Sequence, residues 1–184
     1  GLYARTDLRE GVHRAPANLP VPGVLALEFN VREADQAMLN PVGINCLRVF
    51  TGQGPRVWGA RTLSSDTAWR YVPVRRLMSM IEQTLVEATS WAVFEPHTVR
   101  LRFQIVNAVS SFLQELWRAG ALAGATPEEG FYVKCDEETN PAGLVDAGML
   151  VTEVGVAPVR PAEFVVVRIE RSRDGSQVRE VELG

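Results

Sequence analysis

Residues 99–119 read VRLRFQIVNAVSSFLQELWRA, and this stretch decides the architecture because it carries the longest helical pattern in the sequence. Apolar side chains recur along it every three or four residues, which places them on one face of a helix. Gly120 comes directly after this stretch and is expected to end the helix, because many helices end at a glycine in the left-handed conformation. The main apolar stripe is expected to consist of Val99, Phe103, Val106, Val109, Leu113 and Trp117, widened by Leu101, Ile105, Phe112 and Leu116. A stripe of this length needs a second apolar surface to cover it.

A second amphipathic helix is predicted upstream, from about residue 74 to residue 88. Its apolar positions again fall three and four residues apart, and charged side chains take the other face. These apolar positions are Val74, Leu77, Met78, Ile81, Leu85 and Ala88. Shorter helical pieces are expected at 32–40 and 140–148. Residues 126–129 (TPEE) combine a capping Thr, a first-position Pro and a following Glu, which predicts a single helical turn.

Strand patterns fill much of the remaining chain as short apolar or alternating runs bounded by Gly, Pro and Asn. The predicted strands are 23–29, 43–50, 56–62, 91–94, 130–135, 149–156 and 163–170, whereas 1–22 is expected to be irregular. Residues 52–55 (GQGP) are expected to form the turn between the second and third strands. This mixture predicts an α/β (α+β mixed) fold, with a mixed β-sheet, two long amphipathic helices and short extra helices. The expected core includes Trp91, Phe94, Val106, Val109, Leu113 and Val167.

Composition excludes several functional classes. The 184 residues are 46% hydrophobic and 22% charged, as is usual for a globular chain, and the net charge of −3 gives no basic footprint for nucleic acid. No uncharged apolar run approaches the roughly 20 residues that a membrane span needs. The proline-rich opening, Gly1 to Pro22, lacks the basic segment followed by an apolar segment that is typical of a signal peptide. Its composition is instead expected of an internal stretch of a longer subunit.

Residues for catalysis or metal binding are sparse. His13 and His97 are the two histidines, and neither has a second histidine at a helical offset. Cys46 and Cys135 lie in apolar surroundings and are predicted to be reduced core thiols. The acidic run 136–138 lacks the alternate spacing of a hard-cation loop. We therefore predict no catalytic residue, no cofactor and no metal. The alternative is a small cytoplasmic enzyme-like domain with Cys135 and this acidic loop as its site; a third reading is a monomeric binding module.

Seven segments, taken in order, resemble one family. They are 41–50 (PVGINCLRVF), 54–64 (GPRVWGARTLS), 69–77 (WRYVPVRRL), 91–96 (WAVFEP), 124–129 (GATPEE), 131–136 (FYVKCD) and 155–164 (GVAPVRPAEF). They resemble the C-terminal domain of contractile phage tail sheath proteins, and residues 11–18 (GVHRAPAN) look like the end of the preceding, subtilisin-like sheath domain. The resemblance implies three parts: 1–42 from the preceding domain and a connector, 43–171 as the sheath C-terminal domain, and 172–184 as a C-terminal arm.

The resemblance also implies a structural function and not an enzymatic one. Sheath subunits form stacked hexameric rings around an inner tube, and the helical sheath contracts to drive the tube through a target envelope. The implied partners are other copies of the chain, the inner tube protein, and baseplate and terminator proteins, with no nucleic acid and no membrane insertion. Such a subunit is made in the bacterial cytoplasm and assembled into a phage tail or injection particle.

The C-terminal residues are the expected subunit contact. Residues 163–169 are apolar on both faces, which is typical of a central strand. With strand exchange implied by the family, residues 176–183 are predicted to pair with the sheet of a neighbouring subunit and not with their own. Asp174-Gly175 favours a hairpin within the chain as the competing possibility. The predicted interface residues are Val165, Val167, Ile169, Val178, Val181 and Leu183.

Overall fold

Six α-helices and seven strands are present in the structure, a computed structural model that describes residues 1–169 and 179–183, with side chains up to residue 164. The helices are α1 (Leu2–Glu10), α2 (Glu33–Leu39), α3 (Val72–Thr89), α4 (Val99–Arg118), α5 (Pro127–Gly130) and α6 (Ala142–Asp146). The strands are β1 (Leu19–Pro20), β2 (Cys46–Phe50), β3 (Gly54–Trp58), β4 (Phe131–Lys134), β5 (Glu153–Val156), β6 (Val165–Ile169) and β7 (Arg179–Leu183).

The combination of helices and strands confirms the predicted α/β (α+β mixed) class. The described strands, however, form three separate antiparallel sheets where one mixed sheet was expected. The first has the order β1-β3-β2, and the others are the pairs β4-β5 and β6-β7. A turn lies between β2 and β3 as predicted, but it spans residues 51–53, because Gly54 and Pro55 in β3 already pair with Phe50 and Val49. Leu19 of β1 pairs with Val57 of β3, which joins the opening segment to the chain after residue 43.

The core lies where α3 and α4 pack together over β4 and β5. Its buried members are Leu77, Ile81, Leu101, Ile105, Val109, Leu113, Ala121 and Leu122. Side chains of the small sheet, Phe131 and Val133 from β4 and Val154 and Val156 from β5, pack against this cluster. The two long helices thus cover each other and one sheet, as their apolar stripes require. None of the described helices is both long enough and apolar enough to cross a bilayer.

The buried stripe of α4 differs in part from the predicted one. Leu101, Ile105, Val109 and Leu113 are buried in a row four residues apart, whereas Val99 and Phe103 are 73% and 65% exposed. Both rows satisfy helical periodicity, so the pattern alone could not decide which row faces α3 and the sheet. The half-buried Val106 lies beside the buried row.

Residues 91–94 are not the predicted buried strand. Ser90–Ala92 form a 3-10 helix, Trp91 is 45% exposed, and Phe94 is fully exposed with a left-handed φ of 68°. Four apolar residues are too few to reveal a period, and the chain must reverse here between α3 and α4. Trp91 and Phe94 are therefore removed from the predicted core, and the side chain of Val167 lies outside the described part.

Two predictions about the first thirty residues are also wrong. Residues 2–10 form α1 where an irregular segment was expected, since Asp7 forms an ion pair with Arg76 of α3. The guanidinium of Arg76 also lies 5.1 Å from the ring centre of Tyr3. Residues 23–29 form no strand, and Leu25 in that run is exposed. Arg76 thus holds α1 against α3 through contacts with residues such as Asp7, which lies 69 positions away in the sequence. No local sequence pattern predicts such contacts.

The C-terminal strand pairs within its own chain. In the hairpin of β6 and β7, Val165 lies opposite Leu183 and Val167 opposite Val181. The prediction that residues 176–183 avoid their own sheet is therefore wrong, and the Asp174-Gly175 signal favoured the correct pairing. In this pair β6 has one strand partner and is not a central strand. Val178 lies outside the described residues.

Candidate functional site at the root of the C-terminal hairpin

A pocket of about 610 Å³ lies between α2, the turn after β3, and the segment that enters β6. Small apolar residues, among them Ala37, Ala60 and Ala162, form much of its wall. A group of polar side chains also lines it: Asn40, Arg61, Tyr71 and Glu163, here called the Glu163 cluster. Glu163 stands two residues before β6 begins, so this cluster lies at the root of the hairpin.

The carboxylate of Glu163 accepts hydrogen bonds from three residues far away in the sequence. Arg61 donates from Nε to Oε1 at 2.9 Å and from Nη2 to Oε2 at 2.6 Å. Asn40 donates from Nδ2 to Oε1 at 2.9 Å, and the Tyr71 hydroxyl donates to Oε2 at 3.4 Å. Arg61 also donates from Nη1 to the carbonyl oxygen of Asn40 at 3.2 Å. The carboxylate is thus held on both oxygens, the strongest arrangement for an Arg–carboxylate pair.

Local backbone structure presents each donor. Asn40 follows α2 and opens a short 3-10 helix at Asn40-Pro41, where proline ends the α-helix. Arg61 is paired in an antiparallel bridge with Tyr71, which brings both side chains to one place. The amide of Asn45 clamps the Arg61 backbone, accepting from its N–H at 2.8 Å and donating to its carbonyl at 2.7 Å.

The cluster is largely shielded from water. The side chains of Arg61 and Glu163 are 12% and 18% exposed. Burial by itself would raise the pKa of Glu163, but hydrogen bonds from Arg61 and Asn40 outweigh it and hold the pKa below its ordinary value. The same bond to Glu163 raises the pKa of Arg61. The pair is therefore ionised at neutral pH and contributes to stability as a charged unit.

The residues considered for chemistry do not form a site of their own. Burial raises the pKa of the Cys46 thiol, which makes it a poor nucleophile. The thiol of Cys135 is buried and accepts from the Asn140 amide at 3.7 Å. Both cysteines are free thiols, as predicted. Burial, followed by the charge of Arg14, lowers the pKa of His13. His97 immediately precedes Thr98, whose hydroxyl caps α4 by accepting from the Leu101 N–H.

The acidic loop 136–138 is an internally bonded turn. The Asp136 carboxylate accepts from the backbone N–H groups of Glu138 and Thr139, and Glu138 pairs with Lys134. Within residues 1–169 and 179–183, no group of three or more His, Cys, Asp or Glu side chains is placed to hold a metal ion. The enzyme-like alternative therefore gains no support from this loop.

Residues 1–172 of the chain match models of one protein family. Residues 64–172 match the model of the phage tail sheath C-terminal domain, and residues 1–63 match that of the phage tail sheath protein central domain. The chain therefore belongs to the phage tail sheath family.

Individual relatives agree with this assignment. The tail sheath protein of Escherichia phage P2 is 31% identical over 176 residues, which are 91% of this chain and 42% of that protein. A solved extracellular contractile injection system, the PVC sheath complex in the contracted state, is 39% identical with a TM-score of 0.90. The helical sheath of the anti-feeding prophage in the contracted state is 38% identical with a TM-score of 0.87. The two structural matches cover 94% and 93% of this chain, respectively. They cover only 49% and 48% of the two solved sheath chains, so this chain spans about half the length of each.

Proposed function

We propose that this chain is part of a contractile tail sheath subunit that polymerises as stacked hexameric rings around an inner tube. Contraction of the resulting helical sheath drives the tube through a target envelope. The observation that carries the proposal is the fold: it superposes on sheath chains of two contracted assemblies at 38–39% identity. Structural polymers of this kind need surfaces that repeat and interlock, and they need no active site.

The proposal includes partners and location. The chain contacts other copies of itself, the inner tube protein, and baseplate and terminator proteins, without binding nucleic acid or inserting into a membrane. It is made in the bacterial cytoplasm and incorporated into a phage tail or injection particle. It has no catalytic activity and uses no cofactor. Contact with other copies and with baseplate proteins is supported by relatives that were solved within a helical sheath and a baseplate.

The domain division is proposed as 1–42, 43–171 and 172–184. The two family matches meet between residues 63 and 64, and the first sheet spans the boundary at 42 through the pairing of β1 with β3. Limited proteolysis tests the division. Early cleavage between 42 and 43 supports it, whereas early cleavage near 63 that spares residue 42 contradicts it.

The hairpin β6-β7 is the proposed subunit contact, with Val165, Val167, Ile169, Val178, Val181 and Leu183 as interface residues. In support, each of its strands has one partner in the described chain, which leaves backbone groups at two edges free to extend a neighbour's sheet. A short two-stranded hairpin is marginally stable alone, so pairing with a neighbour stabilises it.

Electron microscopy of the complete subunit tests the function. Purified subunits, expressed with and without the inner tube protein, are expected to form hollow tubes built from stacked rings. Subunits that stay monomeric at high concentration, both alone and with the tube protein, would contradict the sheath assignment. Mass measurement in solution separates that outcome, the monomeric binding module, from a polymer.

A further inference from the structure

We propose that the Glu163 cluster anchors the root of the β6-β7 hairpin, so that tension on the hairpin passes directly to the body of the subunit. The inference rests on the proposed sheath function, in which the hairpin connects neighbouring subunits. Without such an anchor, tension would first straighten the segment before β6, and the connection would lengthen without moving the subunit.

The position of Glu163 supports this role. Upstream of it, backbone hydrogen bonds hold the chain at Ala157, which donates to the Gly130 carbonyl at 2.8 Å, and at Val159, which donates to the Ala121 carbonyl at 3.1 Å. Among the described residues, the hydrogen bonds that follow Val159 and precede β6 are those of the Glu163 side chain. The carboxylate is therefore the last attachment point before the hairpin.

The partners of Glu163 make this attachment firm. Asn40 and Arg61 lie in the part that matches the sheath central domain, whereas Tyr71 and Glu163 itself lie in the part that matches the C-terminal domain. The cluster thus connects both parts to the hairpin at one point. Two-point binding by a guanidinium resists rotation as well as displacement, and exclusion of water strengthens it. Pro161 stiffens the short entry segment.

A matched control is available in a second Arg–carboxylate pair that is also joined by two hydrogen bonds. Arg76 donates from Nη1 and Nη2 to the two carboxylate oxygens of Asp7 at 2.9 and 2.6 Å. Its side chains are somewhat more exposed, at 30% and 24%, and it joins α1 to α3 away from the hairpin root. The variants Glu163→Gln and Asp7→Asn therefore each remove one carboxylate charge from a two-point pair, but only the first loosens the proposed anchor.

Hydrogen exchange on the chain measures anchoring directly. We expect Glu163→Gln to accelerate amide exchange in β6 about tenfold, the loss expected for one charge-assisted hydrogen bond. Asp7→Asn is expected to leave β6 exchange unchanged while lowering the melting temperature, which separates anchoring from general stability. Unchanged β6 exchange in Glu163→Gln, or equal acceleration in Asp7→Asn, would overturn the proposal.

Assembled sheaths test the transmission of tension. Sheaths of the complete subunit carrying Glu163→Gln should release subunits at a lower urea concentration than wild type, and Asp7→Asn sheaths should match wild type. Equal resistance of the Glu163→Gln and wild-type sheaths would overturn the role in tension. If wild-type subunits form no sheath at all, the proposed function fails, and the exchange result alone decides whether the cluster anchors the hairpin.

Discussion

At the residue scale, Glu163 shows how a single carboxylate can connect distant parts of a chain. In the folded chain its carboxylate accepts hydrogen bonds from Tyr71, Arg61 and Asn40, which lie 92, 102 and 123 residues away in the sequence. A buried charge is tolerated only when it is paired and hydrogen-bonded, and here both conditions are met. Because the ionised form is the one that these donors bind, the cluster depends on pH.

Acidification is expected to weaken the cluster. The folded-state pKa of Glu163 lies below its ordinary value of 4.5, so its contribution to stability is complete above that pH and is lost as pH falls through the folded pKa. Between about pH 6 and about pH 3, the free energy of unfolding should therefore fall more steeply in wild type than in Glu163→Gln. Urea unfolding across this range measures both slopes, and parallel curves would show that Glu163 titrates normally in the folded chain.

Phe94 provides a second prediction for a single residue. Its φ of 68° is unfavourable for a residue with a Cβ, and its side chain is fully exposed. Phe94→Asn should therefore maintain the free energy of unfolding or raise it by up to about 1 kcal/mol, because asparagine tolerates the left-handed region. Thermal or urea unfolding of the chain measures the change. A loss above about 2 kcal/mol would instead place Phe94 in the core as first predicted from sequence.

At the element scale, the prediction with the firmest structural basis concerns α4. Leu113 is completely buried, so Leu113→Ala should lower the free energy of unfolding by roughly 2–5 kcal/mol through lost burial and the cavity left behind. Phe103→Ala, on the exposed side of the same helix, should change it by less than about 0.5 kcal/mol. Urea unfolding of the two variants gives the comparison. The reverse order would mean that the buried row of α4 has been misassigned.

The elements that the sequence predicted well are those with repeated, local signals. Helices α3 and α4 begin and end within two residues of the predicted bounds because each repeats its apolar period over four or more turns. The single turn at Pro127–Gly130 was predicted correctly, and it has the expected first-position proline. The Thr126 side chain makes no cap hydrogen bond, however; the Glu129 carboxylate accepts from the Ala125 N–H. Residues 91–94 carry no repeated period, so burial could not be deduced from their apolar character. The Glu163 cluster has no local signal either, since its partners meet only after the chain has folded.

At the scale of the whole molecule, the contacts divide the chain into a packed body and a hairpin. Helices α3 and α4, with β4 and β5, share one core, whereas β6 and β7 contact chiefly each other. In the proposed sheath, this division would let the hairpin pair with a neighbour without disturbing the packing of the core. The Glu163 cluster lies where these two parts meet.

Removal of the terminal strand should separate folding from assembly. Deleting residues 174–184 takes away β7 but none of the residues of the buried core, so the melting temperature of the body should change little. The same deletion in the complete subunit should abolish sheath formation, since β6 loses its partner and the proposed contact is incomplete. Calorimetry of the shortened chain and electron microscopy of the shortened subunit measure the two effects. Normal sheaths from the shortened subunit would show that neighbouring subunits are joined elsewhere.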